Sequence, residues 1–350
     1  MIELKVPARI CFYGDHQDYL GLPVIAGSID RYINVKAVAN QDKKYRLKLL
    51  DLNEEVIISV DDDLKDIQPG DYYRSVMSIL KNQGFSFEQG YDMEISGNIP
   101  VNAGLSSSSA IVVAWVRFLV ATQGKSGEVS DYQIGRWAYE AEVLFFDQPG
   151  GLMDQYTIAQ KGLIYIDTKS GESTRLNANL GKLLVAESGV PKKTLEVLKN
   201  AQVYADKAVQ AVQKEYPEFE VETSTLDDYE KYKALVPVEL QDYWYSTLYN
   251  YHITIQAKRE LSNPNPNIQV LGDLMNQHQA ILQDQIKNTP KKMVEMMDAA
   301  RRAGAVGTKI IGSGGGGCMV AMVTEDVEGK VKQAFLEHGA KDVYVVELTS

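Results

Sequence analysis

The sequence predicts an α+β protein of two domains. The chain has 350 residues, of which 45% are hydrophobic, and a single hydrophobic core rarely serves more than about 250 to 300 residues. Alternating apolar patterns near the start predict antiparallel strands, whereas later segments carry apolar side chains at helical spacing. The composition becomes turn-like at residues 168–181. We therefore predict an N-terminal domain over residues 1–180 and a C-terminal domain over residues 181–350.

Strand patterns dominate the beginning of the first domain. Residues 2–13 alternate and then become apolar, which predicts one or two short strands around Pro7. Three further runs are separated by polar turns and predict an antiparallel meander, at residues 32–39, 45–50 and 55–60. Two later strands are expected over residues 91–95 and 162–167.

Helical spacing accounts for most of the remaining chain. In the first domain we predict helices over residues 71–83, 106–122 and 130–146, and the second of them should be central because it is apolar nearly all round. In the second domain we predict a strand over 183–187 and helices over 193–214, 243–261, 267–287 and 290–303. The tyrosine-rich and acidic residues 215–242 give no clear pattern.

A run of serines opens the predicted central helix. Residues 100–110 read Pro-Val-Asn-Ala-Gly-Leu-Ser-Ser-Ser-Ser-Ala. The N–H groups of a helix start, together with the positive end of the helix dipole, form a site for an anion such as phosphate, and Gly104 allows that anion to approach the backbone. A serine-rich loop that caps an ordinary core helix is the alternative, because serine hydroxyls also accept hydrogen bonds from those N–H groups. The run alone does not separate the two interpretations.

A second polar cluster follows the first strand pattern. Gly14 to Tyr19 contain two carboxylates, an imidazole and a phenol, in a chain with only four histidines. A solvated hairpin connection explains Gly14 and Asp15 but not the clustering of His16, Asp18 and Tyr19, so we predict a loop that binds a polar ligand.

Other candidate residues are ambiguous when taken singly. Glu142 lies among apolar residues, so it is either exposed or a ligand. Asp154 follows a Pro-Gly-Gly turn and, taken alone, is a helix N-cap candidate. Five glycines in six positions at residues 312–317 stand between apolar flanks, and they indicate that a phosphate or another main chain approaches the backbone there.

Composition excludes several classes of protein. A formal net charge of −11 and a pI near 5.0, without a basic stripe, argue against a nucleic-acid partner. The longest apolar runs are about half of the ~20 residues that a membrane span requires, and no secretory signal is evident. Cys11 and Cys318 are too few and too far apart for a disulfide framework, which favours a reducing compartment, and we expect a cytoplasmic protein.

Three motifs in order along the chain resemble those of the GHMP kinases, the family of galactokinase, homoserine kinase, mevalonate kinase and phosphomevalonate kinase. Neither glycine-rich loop fits a Walker or dinucleotide-binding pattern. Residues 6–19 are similar to the galactokinase form of the first motif, Pro-Gly-Arg followed by Gly-Glu-His-Thr-Asp-Tyr. Residues 100–110 resemble the second motif, and residues 307–318 resemble the third. Ala141-Glu142, then residues 151–155, and finally residues 271–278 resemble further galactokinase segments.

The resemblance implies a fold, cofactors and roles for individual residues. It implies an N-terminal domain like domain 2 of ribosomal protein S5, a ferredoxin-like C-terminal domain, and ATP and substrate at their junction. ATP phosphates would lie on the second and third motifs, here Gly104, Leu105, Ser106, Ser107, Ser108, Ser109, Gly314 and Gly315. Ser108 and Glu142 would bind Mg²⁺, Asp154 would be the catalytic base, and Arg9 would be its electrostatic partner. The sugar would be bound by Asp15, His16, Asp18, Tyr19 and Asp154.

Several departures from the galactokinase pattern leave the substrate open. Asp15 stands where galactokinases have a longer Glu, and Lys309 to Gly314 differ from the galactokinase third motif and are closer to the mevalonate or heptose kinase form. We expect an ATP-dependent kinase that acts on the anomeric hydroxyl of galactose or a related sugar. The alternatives are a kinase for a uronic acid, a heptose or mevalonate, and a galactokinase-like sugar sensor without activity. The expected partners are small molecules, and the sequence leaves open a monomer or a homodimer.

Overall fold

The computed structural model describes residues 1–100, 104–191 and 194–350. Residues 101–103, part of the stretch resembling the second motif, lie outside the described residues, as does Lys193, at which a helix was predicted to begin. Within the described part of the chain the secondary structure forms two sheets with helices packed against them, and this confirms the predicted α+β class.

The first sheet contains the strands of the N-terminal half. Its seven strands are β1 (Ile2–Tyr13), β2 (Val24–Asn40), β3 (Lys44–Leu49), β4 (Glu54–Ser59), β5 (Gly90–Gly97), β6 (Leu163–Ile166) and β7 (Ser173–Arg175). They run in the order β4-β3-β5-β2-β6-β7, and β1 pairs with β2. Strands β3 and β5 are parallel and the other pairs are antiparallel. The strand expected over 32–39 is part of the much longer β2. The predicted antiparallel meander is wrong, because β5 lies between β2 and β3 and pairs with β3 in parallel.

The first strand is continuous through its proline. Pro7 lies inside β1, and the register of β1 on β2 shifts between Pro7 and Ala8. Proline has no N–H to donate to the ladder, and it is tolerated at such an irregularity, so β1 continues through Pro7 as one strand. The buried end of β1 carries the segment from Arg9 to Tyr13, and the first polar loop follows directly.

Helices cover the first sheet. They are α1 (Tyr72–Asn82), α2 (Ser107–Thr122), α3 (Asp131–Glu142) and α4 (Met153–Gln160). Helices α2 and α4 pack on β1 and β2, and α3 packs on α1, α2 and α4. Most of α2 is buried, as its apolar sequence predicts. The central position of α2 fixes its serine-rich N-terminus relative to β1.

The second sheet and its helices form the C-terminal half. The sheet has the antiparallel order β11-β8-β10-β9, with β8 (Lys182–Glu187), β9 (Gly307–Ile310), β10 (Cys318–Val323) and β11 (Asp342–Val346). The helices are α5 (Thr194–Gln213), α6 (Asp228–Tyr232), α7 (Gln241–Leu261), α8 (Ile268–Asp284), α9 (Lys291–Arg302) and α10 (Glu328–Glu337). None of the helices in the described ranges is long and apolar enough to cross a membrane. The domain boundary between residues 180 and 181 stays a prediction; it falls between β7 of the first sheet and β8 of the second.

Two segments differ from the sequence-based expectation. The helix predicted over 130–146 ends at Glu142, because a 3₁₀ turn over Leu144–Phe146 and a left-handed Asp147 redirect the chain. The unassigned residues 215–242 contain the short α6 and three 3₁₀ turns, and their aromatic side chains pack in a separate small core with Trp244. Short turns of this kind leave no extended periodicity in the sequence.

Candidate active site

The three motifs meet at a cleft of about 400 Å³. The first motif contributes the end of β1 and the loop after it, the second contributes the start of α2, and the third contributes the loop between β9 and β10. The described residues that line the cleft are Arg9, Asp15, His16, Asp18, Tyr72, Gly104, Ser106 to Ser109, Glu142, Val143, Gln148 to Gly151, Met153 to Gln155, Gly312 and Ser313.

An ion pair between Arg9 and Asp154 forms the centre of the cleft. Arg9 is almost fully buried on β1, and its Nε and Nη2 donate to the two carboxylate oxygens of Asp154 at 2.6 and 2.9 Å. Its Nη1 donates to the carbonyl oxygen of Gly104 at 2.7 Å. Burial lowers the pKa of Arg9, but the carboxylate of Asp154 more than compensates and keeps it above its ordinary value. The guanidinium thus holds Asp154 in one orientation by two parallel hydrogen bonds.

The serine-rich helix start is not capped as expected. Ser106 is the residue before α2, in a left-handed conformation with φ 58°, and its side chain makes no capping hydrogen bond. Its hydroxyl donates to Oδ2 of Asp154 instead. Asp154 itself lies in the first turn of α4, whose N-cap is Leu152, so the N-cap interpretation of Asp154 is wrong. Ser106 thus supports the Arg9–Asp154 ion pair, and the first turn of α2 faces the cleft without a side-chain cap from Ser106.

Glu142 lies opposite this helix start and is buried. Gln155 donates its Nε2 to Oε2 of Glu142 at 2.7 Å. Burial raises the pKa of Glu142, and hydrogen bonds from Gln155, Ser109 and Ser108 oppose that rise. Ser108 is the exposed member of the serine run. A hydroxyl and a carboxylate thus face the cleft side by side.

The loop of the first motif is held from the other half of the molecule. Asp15 accepts a hydrogen bond at 2.6 Å from Nζ of Lys309 on β9, and both side chains are buried. Burial alone would raise the pKa of Asp15, but the Lys309 ammonium holds it below its ordinary value. Ring nitrogen Nε2 of His16 lies 2.9 Å from the carbonyl oxygen of Ser313, and Nδ1 lies 3.0 Å from the hydroxyl of Tyr19.

Asp18 occupies the side of the cleft next to Asp154. Burial and repulsion from the Asp154 carboxylate raise the pKa of Asp18 to about 7, although the backbone N–H groups of Tyr19 and Met153 oppose the rise. Gly151 packs against it so closely that an added Cβ would overlap the carboxylate of Asp18. Gly151 is therefore the residue type that lets the Pro-Gly-Gly turn approach this carboxylate.

The structure does not bring every predicted site residue to the cleft. Leu105 and Tyr19 are not among the residues that line it, although Tyr19 contacts His16. Gly314 and Gly315 also lie away from it: a Cβ on Gly314 would lie 2.7 Å from the carbonyl oxygen of Asn288, and the Gly315 N–H donates to that oxygen at 2.6 Å. Within the described chain these glycines accommodate another main chain. That was one of the two interpretations that their composition allowed.

An apolar recess of about 150 Å³ adjoins the cleft. Tyr72 and Ser108 line both spaces. The other residues around the recess are Leu49, Leu52, Tyr73, Ile111, Val112 and Trp115. Its apolar, aromatic walls contrast with the charged cleft and suit a flat ring rather than an ion.

Three contributors were missed by the sequence analysis. Lys309 could have been noticed as a lone cation directly before Ile310 and Ile311, just ahead of the glycine-rich residues 312–317. Gln155 and Gly151 stand inside a segment that resembles a galactokinase segment, but only their tertiary contacts reveal what they touch. The residues of the recess carry no local signal, because apolar side chains at helical spacing also predict an ordinary core.

Comparisons with known proteins identify relatives of the chain and a shared fold. The model of the GHMP kinases N terminal domain matches residues 71–162, and that of the GHMP kinases C terminal domain matches residues 259–341. A mevalonate kinase of Thermococcus sibiricus is 28% identical over 335 residues, covering 92% of this chain and 89% of the relative. A galactokinase of Clostridium acetobutylicum is 26% identical over 334 residues, covering 91% and 84%. The structure of Lactococcus lactis galactokinase complexed with galactose has a TM-score of 0.88 at 20% identity, covering 99% of this chain and 93% of that one, which shows a shared fold.

Proposed function

The chain belongs to the GHMP kinase family, and on that premise we propose that it is an ATP-dependent sugar kinase acting on the anomeric hydroxyl of galactose or a related sugar. The observation that carries the proposal is the meeting of three features in one cleft: the Arg9–Asp154 ion pair, the start of α2, and the polar loop with Asp15, His16 and Asp18. Phosphoryl transfer depends chiefly on positioning and on charge neutralisation, and these features supply both.

Asp154 is the proposed base. Arg9 and Ser106 fix its carboxylate in one position, so that an acceptor hydroxyl in the cleft can pass its proton to an oriented oxygen. Arg9 lies beside the same oxygens and would stabilise negative charge that develops on the acceptor oxygen and the transferred group. The pair therefore serves proton transfer and charge stabilisation together.

The start of α2 and the apolar recess support ATP as the phosphoryl donor. The uncapped first turn of α2 offers backbone N–H groups and the positive end of the helix dipole to phosphate oxygens. The recess shares Tyr72 and Ser108 with the cleft, so a nucleotide whose phosphates lie at the serines could place its base between the aromatic walls. We assign the recess to the base on this geometry.

The donor set fits Mg²⁺. The Ser108 hydroxyl and the Glu142 carboxylate are hard oxygen ligands at the rim of the phosphate position, and Mg²⁺ typically takes one or two protein ligands and completes its shell with phosphates and water. When bound, the ion would neutralise phosphate charge. Gln155 would keep the Glu142 carboxylate turned toward it.

The charge of the cleft favours a neutral acceptor. Asp15, Asp18, Glu142 and Asp154 all line it, and Arg9 is the one lysine or arginine among the described residues of its lining. Arg9 is bound to Asp154 and Lys309 to Asp15, so Asp18 and Glu142 are the lining carboxylates without an ion pair in the described chain. A sugar can donate hydroxyl hydrogen bonds to carboxylates, but a carboxylate-bearing acceptor such as mevalonate or a uronic acid would be repelled by them. This balance supports a sugar over either acid.

Mevalonate is the second candidate, because the Thermococcus sibiricus relative is a mevalonate kinase. ADP release should be measured with ATP and Mg²⁺ against galactose, other aldoses, a heptose, galacturonate and mevalonate. Turnover with galactose or another neutral aldose supports the proposal, and turnover with mevalonate alone overturns it. Binding of galactose and ATP without turnover would identify a sugar sensor.

The base is tested by Asp154→Asn. We expect ATP binding to stay nearly unchanged and kcat to fall by roughly 10²- to 10⁴-fold, because the amide keeps the shape but cannot take the proton. The matched control is Asp147→Asn, which makes the same chemical change at an exposed residue of the preceding loop that is not among the cleft residues. An Asp154→Asn protein that phosphorylates the acceptor at the wild-type rate would show that Asp154 is not the base.

A further inference from the structure

Lys309 is a fully buried lysine whose ammonium is completely bonded. Its Nζ donates to Oδ2 of Asp15 at 2.6 Å, to the carbonyl oxygen of Cys11 at 3.0 Å and to that of Ile310 at 2.7 Å. An ammonium has three donors, and these three acceptors use them all. Two of the acceptors belong to the first motif, whereas Lys309 lies on β9 of the second sheet. The lysine therefore connects the second sheet to the loop that lines the cleft.

Asp15 is only half satisfied by this contact. It lines the cleft and is buried, and its Oδ2 accepts from Lys309. Its other oxygen, Oδ1, is buried and has no partner within hydrogen-bond distance among the residues that the structure describes. The polar groups near the carboxylate besides Lys309 are the Cys11 thiol and the ring of His278, and both lower the pKa of Asp15. Buried carboxylate oxygens nearly always have a partner in the working protein, so an oxygen without one beside a ligand cleft indicates a donor supplied by the ligand.

The surroundings of Asp15 make Lys309 its principal compensating charge. His278 is also buried near the pair, but burial and the Lys309 charge lower the pKa of His278 to about 4, so its ring is neutral near pH 7. The Cys11 thiol is buried and its pKa is raised well above the ordinary value, so it stays neutral too. Asp18 adds a further negative charge. Arg9 is another cation near Asp15, but its guanidinium is bonded to Asp154. Without Lys309, Asp15 would be a buried carboxylate with no lysine or arginine of the described chain bonded to it.

We propose that Lys309 is a positioning residue that holds Asp15 ionised and oriented so that Oδ1 accepts a hydrogen bond from one hydroxyl of the acceptor substrate. The proposal deepens the function proposed above and rests on it, because it requires a hydroxyl-bearing acceptor in the cleft. It gives the second sheet a part in substrate specificity although Lys309 touches no substrate.

The first test is Lys309→Met, which keeps a long apolar stem and removes the ammonium. We expect KM for galactose to rise roughly 10- to 100-fold, since a hydrogen bond to a charged group is weakened, with KM for ATP nearly unchanged. The same variant should be measured with 2-, 3-, 4- and 6-deoxygalactose. The KM ratio of variant to wild type should return to about 1 for the one sugar that lacks the hydroxyl bound by Asp15.

A double-mutant cycle separates this role from general destabilisation. If Lys309 acts through Asp15, Lys309→Met should change KM for galactose much less in an Asp15→Asn protein than in the wild type. The neutral double variant also removes the uncompensated charge and should melt at a higher temperature than Lys309→Met alone, so it remains measurable if the single variant fails to fold. Lys182→Met is the control, because Lys182 lies on β8 of the same sheet and its ion pair is with Glu328 of α10, away from the cleft loop.

The outcomes distinguish this proposal from the proposed function. If the wild type phosphorylates mevalonate and no sugar, the sugar assignment fails, and the cycle is measured with mevalonate, which also donates a hydroxyl. A KM effect that disappears in the Asp15→Asn background supports the role of Lys309 with either acceptor. Equal KM penalties for all deoxysugars, or additive effects of the two substitutions, would overturn it.

Discussion

Asp18 should reduce the stability of the protein above neutral pH. Its folded-state pKa of about 7 compares with an ordinary value of 3.8, so between these pH values the folded protein binds a proton that the unfolded chain has released. The contribution of Asp18 to stability is therefore fully present below about pH 4 and is lost as the pH rises through about 7. Asp18→Asn removes this titration and should be more stable than the wild type at pH 8.

The magnitude follows from the shift. Three pKa units correspond to about 4 kcal/mol, and because the Asp18 side chain is only half-buried we expect about 2 kcal/mol of the difference to be realised. For a cooperative unit of about 150 to 250 residues that is a rise of roughly 4 to 8 °C in melting temperature. The two proteins should converge as the pH approaches 4.

Melting temperatures of both proteins, measured from pH 4 to pH 8.5 without nucleotide, provide the assay. Asp15→Asn is the informative comparison on the same loop, because Lys309 lowers the pKa of Asp15 and the pH dependence is therefore opposite to that of Asp18. Asp15 stabilises the folded protein at high pH, and this contribution is lost as the pH falls. Asp15→Asn should therefore melt below the wild type at pH 8. A wild type and an Asp18→Asn protein with parallel melting curves over the whole range would refute the electrostatic account of Asp18.

Two further predictions concern the walls of the cleft. Gly151→Ala places a Cβ against the carboxylate of Asp18, so it should raise KM for the acceptor and destabilise the protein by about 1 to 3 kcal/mol. The control is Gly127→Ala, whose Cβ would have nothing within 4 Å and should change neither acceptor kinetics nor urea unfolding. Glu142→Gln should raise the Mg²⁺ concentration for half-maximal rate by at least about tenfold. It should also stabilise the metal-free protein near pH 7, because burial raises the pKa of Glu142. The control is Glu140→Gln, and an unchanged Mg²⁺ titration of Glu142→Gln would show that Glu142 does not bind the metal.

Much of the fold could be predicted from local patterns. The apolar surface of α2 predicted its central position, and the alternation in residues 45–60 predicted β3 and β4. The end of α3 at Glu142 could not be predicted, because Val143 to Phe146 continue the apolar pattern and only the left-handed Asp147 redirects the chain. Local periodicity predicts where a helix can form, but packing decides where it ends.

For the site, too, the sequence indicated which residues come together but not which atoms they bond. The motifs indicated that Arg9, Ser106 and Asp154 belong together, and the structure places them in direct contact. The partners of each atom depend on contacts between distant parts of the chain. One interpretation had Ser106 accepting from backbone N–H groups, but Ser106 is left-handed and makes no capping hydrogen bond, and its hydroxyl donates to the charged Asp154 instead.

The third motif is where sequence similarity was least informative about mechanism. Its glycines suggested a phosphate-binding loop, yet Gly314 and Gly315 pack on the main chain of Asn288, and the parts of the segment that reach the first motif are Lys309 and the Ser313 carbonyl. Glycine provides close approach without specifying what approaches. A buried lysine is more specific, because its charge requires a partner, and that requirement makes Asp15 and Lys309 the pair through which the second half of the chain can influence the acceptor.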